Sequence, residues 1–443
     1  MKTIMKFNFL KMKYKAILLA VFMGFFSAGL INAQSNTYNI PDQLRELIKK
    51  SFDNYPRLKA GNEYLKASQV QRDLAKAGYM PTIDGEASYR YGKPTPELNF
   101  PGIGTFAFIP ANNYDFHLSA NLPIWDFGRT QANVQRTLAQ IETSQDNLEG
   151  SKQMLAYQVA ELYCAIIFYN KSIEVQQEEI NVLKENEKII GDRVKDGDAL
   201  KFDLLSTQVK RNAAENMLID LQNALKKDYE FMDMLTGTEG DGYITRTDMT
   251  FSTEGHEDIS ADKNIDLKLL NDQLKMSEVE IKAARNNWMP TLSARGQIGY
   301  QNGYVPDVNK IQLAGAVGVG LSIPIYGIDR PNYRIKIAKI NAQAAQYNID
   351  AKKMELDKDI MQAKTDLAST KQKIQNYEVQ IQQAQEALNL ANIRYQNGVI
   401  TNLELLTAQT NLQDAELGKI RLEFQILQSV LQINKLGGVQ FWQ

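Results

Sequence analysis

Few residues in this 443-residue chain have the type and spacing to carry out a reaction. The two histidines, His117 and His256, stand far apart, and the one cysteine is Cys164. No His/Cys pair or metal-ligand spacing occurs, and no glycine-rich phosphate loop precedes a lysine. GKP at 92–94 lacks the loop spacing. The carboxylate pair Glu178-Glu179 lies among Gln and Lys in a helical pattern, where a solvated face is the plain reading. Cys164 has no partner for an internal disulfide, and its neighbours Ala165, Ile166 and Ile167 make it a small packed residue. Enzymatic chemistry and a bound cofactor are therefore not expected.

The more informative residues occur twice. DRVKDGDALKFDLLSTQVKRN (192–212) and IRYQNGVITNLELLTAQTNLQ (393–413) share Arg193 and Arg394, Gly197 and Gly398, two Leu-Leu pairs, and Gln208 and Gln409. The acids Asp203 and Glu404 also correspond. The offset is 201 residues throughout, and it recurs in LPIWDFGRTQANV (122–134) and IPIYGIDRPNYRI (323–335). There Pro123 matches Pro324 and Arg129 matches Arg330. Upstream, AGYMPTID (77–84) matches NNWMPTLS (286–293) at an offset of 209, so the first half carries eight extra residues in a loop. The chain reads as a duplicated unit of about 200 residues: a first repeat over 34–237, a linker over 238–262 near the middle of the molecule, and a second repeat over 263–443.

Each repeat has the same order: helix, two short segments, very long helix, turn, helix. The short segments 82–91, 113–124, 291–301 and 311–325 alternate apolar and polar residues, which is the period of a strand. Asp84, Glu86, Arg90, Asp115 and Arg295 all fall on polar faces. Lengths of 10 to 15 residues suit strands crossing a bilayer at a tilt, with lipid on one face and water on the other. Trp125, Trp288 and Tyr326 mark the strand ends beside the helices, and Tyr89 lies near the far ends, as interfacial aromatics do. Four strands cannot close a barrel, and an open edge in lipid leaves backbone groups unpaired, so several chains must contribute. The long helical patterns, about 128–190 and 332–396, each span roughly 95 Å at 1.5 Å per residue. They read as coiled coil or tube wall. Shorter helices are expected at about 42–77 and 201–235.

The N-terminus reads as a secretory signal over residues 1–33. Five lysines precede the apolar run Ala16–Leu30, and Ala33 offers a cleavage point. The run is too short to span a membrane as a helix. Without it the chain holds 45 Lys and Arg against 52 Asp and Glu, and nothing basic enough to argue for nucleic acid. A coiled-coil adaptor or scaffold without a pore is the main alternative, and the four alternating segments argue against it. An adhesin would need longer external loops than 92–112 and 302–310.

With PIW-x-x-G-R and PIY-G-x-x-R after the second and fourth strands, MPT before the first and third, and two R-x-x-x-G…LL turns, the chain resembles the TolC-like outer membrane efflux proteins over residues 35–438. The resemblance implies a homotrimer in the outer membrane of a Gram-negative bacterium: an α+β membrane protein with a shared 12-stranded β-barrel and a long periplasmic α-helical barrel. It further implies a passive exit duct for an efflux pump or type I secretion system, working with a periplasmic adaptor and an inner-membrane transporter. The turns at Arg193–Gly197 and Arg394–Gly398 would meet the adaptor. Asp203, Glu404 and Tyr395 would line the entrance, where three copies of Glu404 would favour cations. Ile400 and Thr407 stand where well-studied members carry a gate arginine and a second acidic ring, so a weaker or differently wired closure is expected. The plain alternative for Asp203 and Glu404 is helix N-terminal acids favoured by the helix dipole.

Overall fold

A computed structural model describes residues 40–102, 104–240, 242–244, 259–325 and 329–442. The signal segment 1–33, much of the linker 238–262, His256 and Tyr326 lie outside the described residues.

Among the described residues, seven α-helices and six strands run along the chain. They are α1 (Asp42–Asn54), α2 (Pro56–Lys76), β1 (Thr82–Tyr91), β2 (Glu97–Phe100), β3 (Gly104–Ala107), β4 (Asn112–Trp125), α3 (Arg129–Asp196), α4 (Lys201–Thr236), α5 (Ile265–Asn286), β5 (Thr291–Gln301), β6 (Gln312–Ser322), α6 (Asp329–Gln396) and α7 (Asn402–Leu436). The single helix expected at 42–77 is two. Pro56 opens α2 at its first position and leaves Tyr55 extended at φ −68°, ψ 116°, because proline disfavours helical geometry in the residue before it. The loop expected over 92–112 contains the small hairpin β2–β3. The fourth strand ends at Ser322, so Ile323, Pro324 and Ile325 lie beyond it. No helix among the described residues is long and apolar enough to cross a membrane.

α3 and α6 have 68 residues each, about 100 Å at 1.5 Å per residue. In the half of the molecule nearer the sheet, α2 packs on α3, α3 on α5, and α5 on α6. In the other half α4 packs on α3, α3 on α7, and α7 on α6. The helices thus form an arc, with α2 and α4 along one flank and α6 along the other. The repeats make matching contacts inside this arc. In the first, Leu148 of α3 lies against Gly61 of α2. In the second, the residues 201 and 209 positions later, Ile349 of α6 and Leu270 of α5, share one apolar cluster with Leu267, Leu356 and Ile360.

A large buried core surrounds the middle of α3. Tyr157, Ala160, Tyr163, Cys164, Ile166 and Ile167 of α3 are all buried. Phe441 and Trp442 of the C-terminal segment stack edge-on against Tyr157, and Phe52 of α1 packs edge-on against Trp442. Cys164 is enclosed, and burial pushes its thiol well above the usual range, so it is a packing residue as its neighbours predicted.

Candidate functional site

β1, β4, β5 and β6 form one antiparallel sheet in the order β1-β4-β5-β6. Its register turns four separate alternations into two uniform faces. Ala87, Phe116, Tyr300 and Leu313 form one ladder; Gly85, Leu118, Ile298 and Gly315 form the next, and Ala120, Gly296 and Val317 lie on the one after it. All are apolar or small. The ladders between them read Glu86, His117, Gly299, Ala314, and Asp84, Ser119, Gln297, Ala316, and Thr82, Asn121, Arg295, Gly318. A one-residue slip in any strand would mix the faces. His117 sits between carboxylates on the polar face: its Nδ1 is 2.7 Å from Asp115 Oδ1, and its Nε2 is 3.7 Å from Glu86 Oε2. Towards β6 that face thins to Ala314, Ala316, Gly318 and Gly320.

The apolar face has no cover among the described residues. Phe116, Leu118, Ile298, Leu313 and Leu321 are all exposed, and Val317 is 93 % exposed. Strict alternation from Tyr114 would place Trp125 on the polar face. A register shift between Pro123 and Trp125 inserts one residue and pairs Trp125 with Leu292, whose partner across the next ladder is Leu321. The bulge therefore delivers the tryptophan to the apolar face at the helix end of the sheet. Trp288 is half-buried in the turn before β5. Tyr89 lies near the far end of β1, its ring 5.2 Å from that of Tyr114 and its hydroxyl donating to Asn112 Oδ1.

At the strand–helix junction the chain turns through two left-handed residues, Phe127 at φ 52° and Gly128 at φ 86°. Asp126, which sequence reasoning passed over, fixes the turn: its carboxylate accepts from the backbone N–H groups of Gly128 and Thr130, at the start of α3. Arg129 donates to the carbonyls of Asn287 and Met289 just after α5, joining the two repeats. Its counterpart Arg330 is exposed.

At the opposite end lie the two repeated turns. Gly197 and Gly398 take left-handed φ values of 85° and 70°, with open space where a Cβ would project, so backbone geometry rather than crowding selects glycine. Asp203 and Glu404 are both third-position helix acids that reach back to the start of their own helix. Glu404 accepts from the backbone N–H and the hydroxyl of Thr401, at 2.7 and 2.9 Å, while Thr401 Oγ1 accepts from the Glu404 N–H. This is a full capping box. Backbone and side-chain bonds from Thr401, with a smaller contribution from Arg394, hold the Glu404 carboxyl below its usual range. Asp203 accepts a longer bond from Leu200 N–H, at 3.4 Å. Thr407 donates its hydroxyl to Leu403 O within its own helix, and Ile400 is half-buried.

The tip also holds contacts that no local pattern announces. Arg193 lies over the Tyr395 ring, 5.3 Å from its centroid, with Nη2 3.5 Å from Gln396 O. Asn402 is buried and donates to Asp203 O and Thr207 Oγ1. Arg193, expected at an adaptor turn, and Tyr395, expected at the entrance, are thus in direct contact.

The architecture recurs in solved structures. CusC, described in terms of folding and transmembrane channel formation, has 18% identity and a TM-score of 0.77, covering 94% of this chain and 96% of its own. The outer membrane protein VceC of Vibrio cholerae has 18% identity and a TM-score of 0.74, over 90% of this chain and 97% of its own. The open state of the Neisseria gonorrhoeae MtrE outer membrane channel has 16% identity and a TM-score of 0.74, over 90% and 89%. No curated protein matches the sequence. The sequence profile of the outer membrane efflux proteins matches residues 47–238 and 260–439. With the two-faced sheet, the paired long helices and the repeated turns, this coverage means that the chain belongs to the outer membrane efflux protein family.

Proposed function

We propose that this protein is an outer membrane duct through which an efflux or secretion system discharges its cargo. One observation carries the reading: a four-stranded sheet with an uncovered apolar face, a polar opposite face and two open edges, β1 and β6. In lipid, both edges must pair, because no water is present to satisfy their backbone groups. Copies of the same chain supply the missing strands. Three copies, the number the family resemblance implies, give twelve strands, above the small-barrel limit of about eight. The helical arcs then close into a tube about 100 Å long.

The duct is passive, and the inner-membrane pump supplies the energy. Its partners are a periplasmic adaptor at the turns around Gly197 and Gly398 and an inner-membrane transporter beyond. Asp203, Glu404 and Tyr395 ring the entrance. The capped Glu404 carboxylates stay ionised and favour cations there. Closure depends on the Arg193–Tyr395 and Asn402 contacts, in place of a charge lock at Ile400 and Thr407. The domain division follows the repeats, 34–237 and 263–443, with 238–262 linking them at mid-tube.

The test is a mass measurement of detergent-extracted protein combined with conductance in planar bilayers. A trimer forming cation-preferring pores supports the reading. A detergent-free soluble monomer without conductance overturns it in favour of a periplasmic scaffold. At the entrance, Glu404→Ala should change the block of conductance by multivalent cations, and unchanged block removes Glu404 from that role.

A further inference from the structure

The internal repeat predicts more than the existence of an interface between copies. Along the arc, α2–α3 and α5–α6 are equivalent pairs, and the α3–α5 seam joins them. On α3, Ala132, Ala139, Asp146 and Gln153 recur every seven residues, and all are buried. The seven-residue period marks a coiled-coil seam. Asp146 binds Lys268 of α5 at 2.8 Å, and its charge bears on the Asp272 carboxyl, while Glu142 pairs with Lys275. Arg129 closes the top of this seam on the Asn287 and Met289 carbonyls.

Moving 201 residues along the chain gives Arg330, Tyr333, Ile340, Tyr347 and Met354 on α6. These five positions are exposed, the last four at 65, 58, 64 and 75 %. A heptad row of large apolar side chains facing water on a 68-residue helix lacks its partner helix. The equivalent of α5 is α2, 209 residues earlier. Leu58 and Leu267 correspond and are both buried, as are Ala75 and Ala284. α2 in turn exposes Tyr64, Val70 and Leu74. The free row and the free helix occupy opposite flanks of the arc, just as the open edges β6 and β1 occupy opposite sides of the sheet.

We propose that Arg330 and the α6 row Tyr333–Ile340–Tyr347–Met354 dock on α2 of a second copy, in the register that Arg129 and its matching α3 row take on α5 within one chain. The inference rests on the duct reading and adds residue-level pairing to it. Arg330 donates to the Gly78 and Met80 carbonyls of the second copy, as Arg129 does to those of Asn287 and Met289. Tyr347, in the place of Asp146, lies over Lys59 and Glu63 of the second copy, which stand in the places of Lys268 and Asp272. Gln343 faces Lys66 in the same way. The contact is head-to-tail, so its repetition closes a ring instead of ending at a dimer. Its chemistry differs from that of its template: small and ionic inside a chain, aromatic and thioether between chains.

The test uses the full chain in detergent, where Cys164 is buried and gives no background. Tyr347→Cys combined with Glu63→Cys, and separately Gln343→Cys with Lys66→Cys, are treated with a short bismaleimide. Either pair should yield a ladder of covalently joined subunits in denaturing gels, and each single variant should stay monomeric there. Arg330→Ala should lower the temperature at which the oligomer dissociates, leaving the helical content of the subunit unchanged. An oligomer of native mass that gives no cross-link with either pair, and whose dissociation temperature is unmoved by Arg330→Ala, overturns this register while leaving the duct intact. An untreated protein that is monomeric in detergent overturns both.

Discussion

The two tip turns share their sequence but not their surroundings. In the first, Arg193 is half-buried over the Tyr395 ring of the second; in the second, the matching Arg394 is exposed. Asn402 is enclosed and bound to Asp203 and Thr207, and its counterpart Lys201 is exposed. The same split runs up the molecule, where Arg129 is engaged and Arg330 is free. One repeat finds its neighbour inside the chain, and the other ends at a boundary. Duplication copied the elements, and the environment of each copy then set its chemistry.

The largest expected effect on that contrast comes from Asn402→Ala. It removes a buried donor and leaves its pocket unfilled, costing about 1–2 kcal/mol. Lys201→Ala at the matching position should stay within about 0.5 kcal/mol for the isolated subunit. Amide exchange in α4 and α7 reads both, and equal effects would break the comparison. The second prediction concerns pH. Burial, and then the charge of Asp146, push the Asp272 carboxyl up to about 6, with Glu142 adding to the rise and Lys268 opposing it. The folded carboxyl therefore binds its proton more tightly than the unfolded one. Its contribution to the α3–α5 seam is complete at pH below about 4 and is lost as pH rises through about 6. Asp272→Asn should flatten the thermal stability of the helices across that window. The α6 row, with Tyr347 in the place of Asp146, should show no matching dependence.

Next in size is Glu404→Ala, which dismantles a complete capping box and should loosen the first turn of α7. Asp203→Ala should cost less, because its single return bond is 3.4 Å long. Since the Glu404 carboxyl is held low, its contribution is present above the ordinary carboxylate range and fades as pH falls through it. Local helix melting of the tip by exchange at pH 3 and pH 7 checks the sign. The smallest effect is Arg193→Ala, about 0.5–1 kcal/mol for a half-buried cation–π contact near the surface. Arg394→Ala should leave the Tyr395 contact intact and remove only a small electrostatic contribution at Glu404. Chemical shifts or fluorescence of Tyr395 distinguish the two.

Much of the fold was legible because its signals are local. Two-residue alternation located Thr82–Tyr91 and Thr291–Gln301 to the residue. The long helices needed only the absence of proline and a steady three-and-four spacing. The repeat offset linked Gly197 with Gly398 and Arg129 with Arg330. What escaped depends on partners distant in sequence or on irregular backbone. The bulge beside Pro123 breaks the alternation it serves, so the face that Trp125 takes could not be read from a period of two. The β2–β3 hairpin lies in a stretch too short and too mixed to show a period. Arg193 and Tyr395 are 202 positions apart and differ by one in repeat register, so matching equivalent residues could not bring them together. Asp203 and Glu404 were legible as entrance acids by resemblance and as helix N-terminal acids by position. That their carboxylates are bound into helix caps needed the three-dimensional bonds.

The β6 residues Gly318 and Gly320 stand on the polar side of the sheet with nothing within 4 Å of where a Cβ would be. Neither is forced by crowding or by a left-handed backbone. They leave a bare strip of peptide along each subunit's share of the bore. That strip can be furnished at will: serine, leucine or tryptophan there would step down the clear diameter three residues at a time around the ring, without disturbing the lipid-facing side. A graded series of such variants would turn the channel into its own molecular gauge, measuring the girth of whatever it lets out.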